Sequence, residues 1–115
     1  MAFKIKRAYE PPDPADGFRV LVDRLWPRGL TKERLRIDAW VKDVAPSTEL
    51  RKWIHSDRSR WSEFRRRYVK ELDSQPDAVA DLRRRARAGQ VTLVFAARDP
   101  DNNHTAILKD YLERS

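Results

Sequence analysis

Val91-Thr92-Leu93-Val94-Phe95-Ala96-Ala97, residues 91–97, is the stretch that decides the fold class. It is almost wholly apolar and is bounded by Gly89 on one side and Arg98-Asp99-Pro100 on the other. That length suits a strand and is short for a buried helix. Apolar residues at every position, rather than every second one, mean that both faces are covered, as happens in parallel sheets. Arg19 to Leu25 holds a second such run in Val20-Leu21-Val22. Phe3 to Tyr9 alternates instead, with Phe3 and Ile5 on one face and Lys4 and Lys6 on the other, and reads as a half-buried strand. Ala39 to Val44 is a candidate for a further strand.

Helical spacing fills the intervals between these strands. Pro27 and Gly29 end the second strand region, and Thr31 caps a short helix over Lys32 to Arg36. Ser47 caps a helix that buries Leu50, Trp53 and Ile54. Asp57 starts the next, in which Trp61, Phe64, Tyr68 and Leu72 recur at three- and four-residue steps. Ser74 to Asp77 breaks it, and Val79, Leu82 and Ala86 mark another helix that ends at Gly89. A last helix runs from about Asn103 to Arg114 and buries Ile107, Leu108 and Tyr111. Strands separated by helices predict a three-layer α/β fold, with a mainly parallel sheet of about four strands, in one domain over residues 1–115.

The 115 residues include no cysteine, so disulfide frameworks, thiol nucleophiles and cysteine-built zinc sites are excluded. Two histidines without a dense carboxylate cluster predict no metal site, and no cofactor motif is present. No apolar run approaches the roughly 20 residues of a membrane span, and the N-terminus lacks the apolar centre of a signal peptide. A cytoplasmic protein is therefore the expectation; the oligomeric state is open, with a monomer favoured.

In open parallel sheets, ligands bind at the carboxyl ends of the strands. That rule selects Asp23 to Gly29 and Arg98 to Thr105. An aspartate at the end of a buried strand needs a partner, because desolvating it alone is costly. Arg24 or Arg28 could supply that partner while the other receives a phosphate or carboxylate. Asp23 and His104 are candidates for acid–base work. Arg24, Trp26, Arg28, Gly29, Asn103 and Thr105 are candidates for ligand binding, helped by the free N–H groups of a helix start. Equally, the first segment reads as an ion pair that pins a turn, and Asn103 as a plain helix cap. His55 reads as a helix-end residue.

The net charge of +7 is concentrated in Arg65-Arg66-Arg67, Arg83-Arg84-Arg85 and Arg87. Arg65, Arg66, Arg83, Arg84 and Arg87 are thus candidates for non-specific nucleic-acid contact. The same pattern also suits well-solvated helix faces.

Four blocks together carry a resemblance: residues 16–30 (DGFRVLVDRLWPRGL), 45–57 (APSTELRKWIHSD), the aromatic helix 61–68, and 91–112 (VTLVFAARDPDNNHTAILKDYL). The chain resembles the bacterial YeaO-like proteins, the domain of unknown function 488. The resemblance implies no activity of its own. In longer relatives of that family, a strand ends in Asp-x-Arg and a later strand is followed by Cys-His-Arg. By that resemblance Asp23 and His104 are neighbours across one crevice. Leu25 and Thr105 stand where those relatives carry arginine, and Asn103 where they carry cysteine.

Overall fold

In the computed structural model, residues 2–98 and 103–114 are described. Four parallel strands, β1 (Phe3–Arg7), β2 (Phe18–Leu21), β3 (Ala39–Trp40) and β4 (Val91–Phe95), form one sheet in the order β1-β4-β2-β3. The helices are α1 (Lys32–Leu35), α2 (Thr48–Ser56), α3 (Trp61–Asp73), α4 (Pro76–Ala88) and α5 (His104–Glu113). The decisive apolar stretch is one of the sheet's two inner strands, with Val91 opposite both Phe3 and Phe18 and all five of its residues buried. The class expected from the sequence, a three-layer α/β fold, is the class observed.

The alternation of side chains along the strands splits the core in two. Phe3, Val20, Val22, Val91 and Leu93 pack against Leu50, Ile54, Phe64, Tyr68, Leu72, Val79, Leu82, Ile107 and Leu108, so α2 to α5 cover one face. Leu21 and Val94 turn to the other face, with Ala8 and Leu35, beneath Trp26, Leu30, Ile37 and Trp40. That second layer is thin, one turn of helix and the loops beside it.

Two strands are shorter than their sequence pattern suggests. Beyond Leu21, Val22 still donates to the Val94 carbonyl, and then Asp23 turns its carboxylate onto the Ala96 N–H, 2.8 Å away. A side chain has replaced the ladder there, so β2 stops short of Leu25. Strand β3 can follow β2 no further: after Val41 donates to Leu21, the segment Lys42–Val44 coils into a 3₁₀ turn. The break between α3 and α4 is also narrower than Ser74 to Asp77, because Pro76 is well placed in a first helical turn. A 3₁₀ turn at Arg58–Arg60 precedes α3, so Asp57 caps that turn and the helix proper begins at Trp61.

Two features pin the ends of the sheet. Gly17, at φ +65°, sits where a Cβ would fall 2.3 Å from the Gln90 carbonyl oxygen, which also accepts the Phe18 N–H at 2.9 Å. On the thin face, Arg19 is only 4 % exposed. Its guanidinium donates to Asp16 at 2.6 Å, to the Leu35 carbonyl at 2.8 Å and to the Arg36 carbonyl at 3.1 Å. Arg19 thereby caps the carbonyl end of α1 from inside the protein. Asp16 also takes Lys6 at 3.0 Å and the Asp13 N–H at 3.1 Å. Burial alone would raise the Asp16 carboxyl; Lys6, the Asp13 N–H and Arg19 outweigh it and hold the group below its ordinary value.

Candidate functional site

A crevice of about 350 Å³ opens at the carboxyl ends of β2 and β4. Its walls come from Asp23 to Arg28, from Ala45 and Pro46, from α2 and the start of α3, and from Asn103 and His104. Of the two segments that the strand-end rule selects, Asp23 to Arg28 and, among the described residues of the second, Asn103 and His104 line it.

Asp23 and His104 face each other across it. His104 is the first residue of α5, which Asn103 caps by accepting the Thr105 N–H at 2.8 Å. The Nε2 of His104 lies 3.0 Å from the Val22 carbonyl and 3.3 Å from Oδ1 of Asp23. A carbonyl can only accept, so Nε2 carries the hydrogen and donates it there. Oδ1 is left buried without a hydrogen-bond donor, while Oδ2 takes the Ala96 N–H. Tyr68 supports the imidazole edge-on from the core, with ring centroids 6.0 Å apart, and its own hydroxyl donates to the Val44 carbonyl. Both partners are tied to backbone before any ligand arrives.

The two titrate against their surroundings. Burial raises the Asp23 carboxyl, and the opposing pull of His104, the Ala96 N–H and Arg51 does not cancel it. Burial lowers His104, with Asp23 and the Val22 carbonyl pulling back only in part. A lowered histidine binds fewer protons folded than unfolded, so stability is lost as pH falls below its ordinary value of 6.5. Asp23, being raised, works in the opposite sense and returns stability as its carboxyl takes a proton. Urea midpoints should therefore fall more between pH 7.5 and 5.5 in the native protein than in His104→Gln, whose amide can still donate to Val22. Parallel profiles would remove His104 from the acid response.

The remaining candidates divide. Arg24 lines the crevice, yet its Nε donates to the Pro46 carbonyl at 3.1 Å and its Nη2 to Ala45 at 3.3 Å, which ties the 45–46 loop to the end of β2. Trp26 lines the wall, with Nε1 donating to the Leu30 carbonyl at 2.6 Å and its ring edge-on to Trp40. Arg28 is exposed at the rim, and its carbonyl accepts the Tyr9 hydroxyl at 2.8 Å. Gly29 adopts φ +82° in the turn outside the lining, and Thr105 is fully buried behind it. Arg98 leaves β4, whereas Asp99 to Asn102 lie outside the described residues.

Strand-end reasoning missed the α2 wall. Arg51, His55 and Arg58 line the crevice together with Ile54, Trp61 and Phe64. Arg51 has a buried Nε with no hydrogen-bond partner. His55 is lowered first by partial burial and then by Arg58 and Arg51, whose charges disfavour its protonated form. The only sequence signal for this wall was the i, i+4 spacing of Arg51 and His55 on one helix.

The arginine blocks of α3 and α4 are largely engaged within the protein. Arg65 pairs with Asp110, Arg66 and Arg67 with Glu63, and Arg84 with Asp81. Arg83 donates to the carbonyls of Tyr111, Leu112 and Arg114 at the end of α5. Arg87 is exposed. Among the described residues no group of acidic, histidine or cysteine side chains could hold a metal ion, and no helix is long and apolar enough to cross a membrane.

Sheet order and crevice define an α/β protein with a ligand-sized cleft at its strand ends. By sequence the chain belongs to the DUF488-N3i family, described as the inactive DUF488-N3 subclade, whose family model matches residues 2–115. It is 40% identical over 115 residues to the uncharacterized protein YeaO of Escherichia coli, covering 97% of each chain. It is 46% identical over 109 residues to the uncharacterized proteins Mb3100c of Mycobacterium bovis and Rv3073c of Mycobacterium tuberculosis, covering 95% of this chain and 92% of theirs. No solved structure matches the chain.

Proposed function

We propose that this protein binds a small anion in the crevice and does not turn it over. The observation that carries the reading is an excess of positive charge over the crevice's one described carboxylate, Asp23, on which Arg51 also acts. Arg28, Arg51 and Arg58 line the crevice without an acidic hydrogen-bonding or ion-pair partner, beside His55. Asp23 is the lining's one carboxylate among the described residues; its Oδ2 takes the Ala96 N–H, and its Oδ1 lies 3.3 Å from His104. Cations brought together in a partly enclosed space repel until a counter-ion joins them, and planar guanidinium groups suit oxyanions. Against turnover stands the lining itself, which has no serine, threonine or cysteine among the described residues. The Asp23–His104 pair is committed to backbone, and the matched family is described as inactive.

The test is an amide-resolved NMR titration with acetate, benzoate and inorganic phosphate, alongside a short DNA duplex. At least one anion should shift residues 23–28, 51–58 and 103–105. Replacing Arg51 and Arg58 together by Gln should weaken it about tenfold or more, since charge-assisted bonds are lost. The reading fails if every anion leaves those amides unmoved, or if only the duplex binds and moves α3 and α4.

A further inference from the structure

We infer that the anion this crevice takes is a monocarboxylate on a flat apolar body, rather than a phosphate. The inference rests on the anion-binding reading above and narrows it. Three observations carry it.

The first is size and lining. A free space of about 350 Å³ would hold on the order of ten waters, far more than a bare inorganic anion displaces. Much of the wall is apolar: Leu25, Pro27, Ile54, Trp61 and Phe64. Trp61 and Phe64 are stacked face to face, 4.9 Å between centroids at 7°, with Phe64 buried, and both line the crevice. Leu25 is 58 % exposed and Tyr9 45 %, so the mouth too leaves apolar surface in water that a ligand would cover.

The second is where the backbone donors have gone. A phosphate site usually gathers main-chain N–H groups at a helix start. Among the described residues, the Thr105 N–H is taken by the Asn103 side chain and the Ala96 N–H by Asp23. Asp23 therefore occupies a donor that a phosphate would need, and its carboxylate would repel a dianion.

The third is the position of two guanidinium groups, Arg51 and Arg58, on either side in sequence of a His55 that burial and their charges hold toward its neutral form. Arg51, His55 and Arg58 belong to α2 and the turn after it, on the wall that also carries Ile54 and Trp61. His55 lies in the last turn of α2, where the helix dipole is negative and opposes a second negative charge. A guanidinium fork beside an apolar wall fits a carboxylate whose remaining atoms are a ring.

The experiment compares 1-naphthoate, 1-naphthamide, acetate and inorganic phosphate by calorimetry on the intact chain. Naphthoate should bind at least about a hundredfold tighter than acetate, because ring burial adds to the charge contact. Naphthamide should bind about tenfold or more weaker than naphthoate, and Arg51→Gln should erase that difference. The Arg51 Nε has no partner to lose, so this variant keeps the fold, which its thermal transition checks. Acetate or phosphate binding as tightly as naphthoate would overturn this inference and leave the anion reading intact. Naphthamide binding as well as naphthoate would overturn both, as would the absence of binding by all four.

Discussion

Arg19→Met is expected to cost about 3–5 kcal/mol of folding stability, the range found when one partner of a buried ion pair is removed. The reason is the number of groups that one guanidinium satisfies. Asp16 would lose its 2.6 Å contact, and the Leu35 and Arg36 carbonyls would be stranded beneath α1. Methionine fills the space without supplying a donor, so the loss reads out the polar contacts rather than a cavity. In a chain of this size the thermal midpoint should drop roughly 10–20 °C. Arg19→Lys should recover only part, because an ammonium cannot serve three acceptors in one plane. If both variants melt within a degree or two of the native protein, α1 is held by something other than this cluster.

Gly17→Ala is the second large loss, expected at about 3 kcal/mol or more. Left-handed φ strains any residue with a Cβ, and the new methyl would also lie 2.3 Å from a backbone oxygen, a contact that must move β2 away from β4. Gly29→Ala is the informative control. Gly29 shares a positive φ, but its Cβ would meet nothing within 4 Å. It should cost only the conformational strain, about 1 kcal/mol or so. Equal melting temperatures for the two variants would rule out steric contact with Gln90 as the cause.

Much of the architecture was legible because apolar runs and helical spacing report burial directly. Val91 to Phe95 and Val20 to Val22 are read as doubly covered strands because burial on both faces leaves no alternation. Strand ends were not legible. Whether Asp23 continues the ladder or bonds Ala96 through its side chain depends on a residue more than seventy positions away. The site was half visible for the same reason. Asp23 and His104 follow from strand ends and topology, which are local patterns plus one general rule. Arg51, His55 and Arg58 belong to α2 and the turn after it, and nothing in their own neighbourhood marks that face as different from a solvated one. Charge sign misled in a further way. Arg24 and Arg28 are equivalent as letters, yet one guanidinium is engaged by carbonyls at Ala45 and Pro46 and the other stands at the rim. The arginine blocks likewise announce a basic surface, while Glu63, Asp81 and Asp110 engage much of it.

The strand order has a consequence in time. β1 bonds only to β4, and β2 meets β4 on one edge and the two-residue β3 on the other. One of the two central strands, β4, is thus the last of the described strands to be made. A chain emerging from the ribosome holds β1 and β2 without their main partner until Val91 to Phe95 follow, so two of the three ladders close over a long stretch of sequence. Such non-local pairing is slow, and it leaves apolar strands uncovered while they wait. Shortening the chain before residue 91 should therefore give not a smaller version of this fold but an aggregating one.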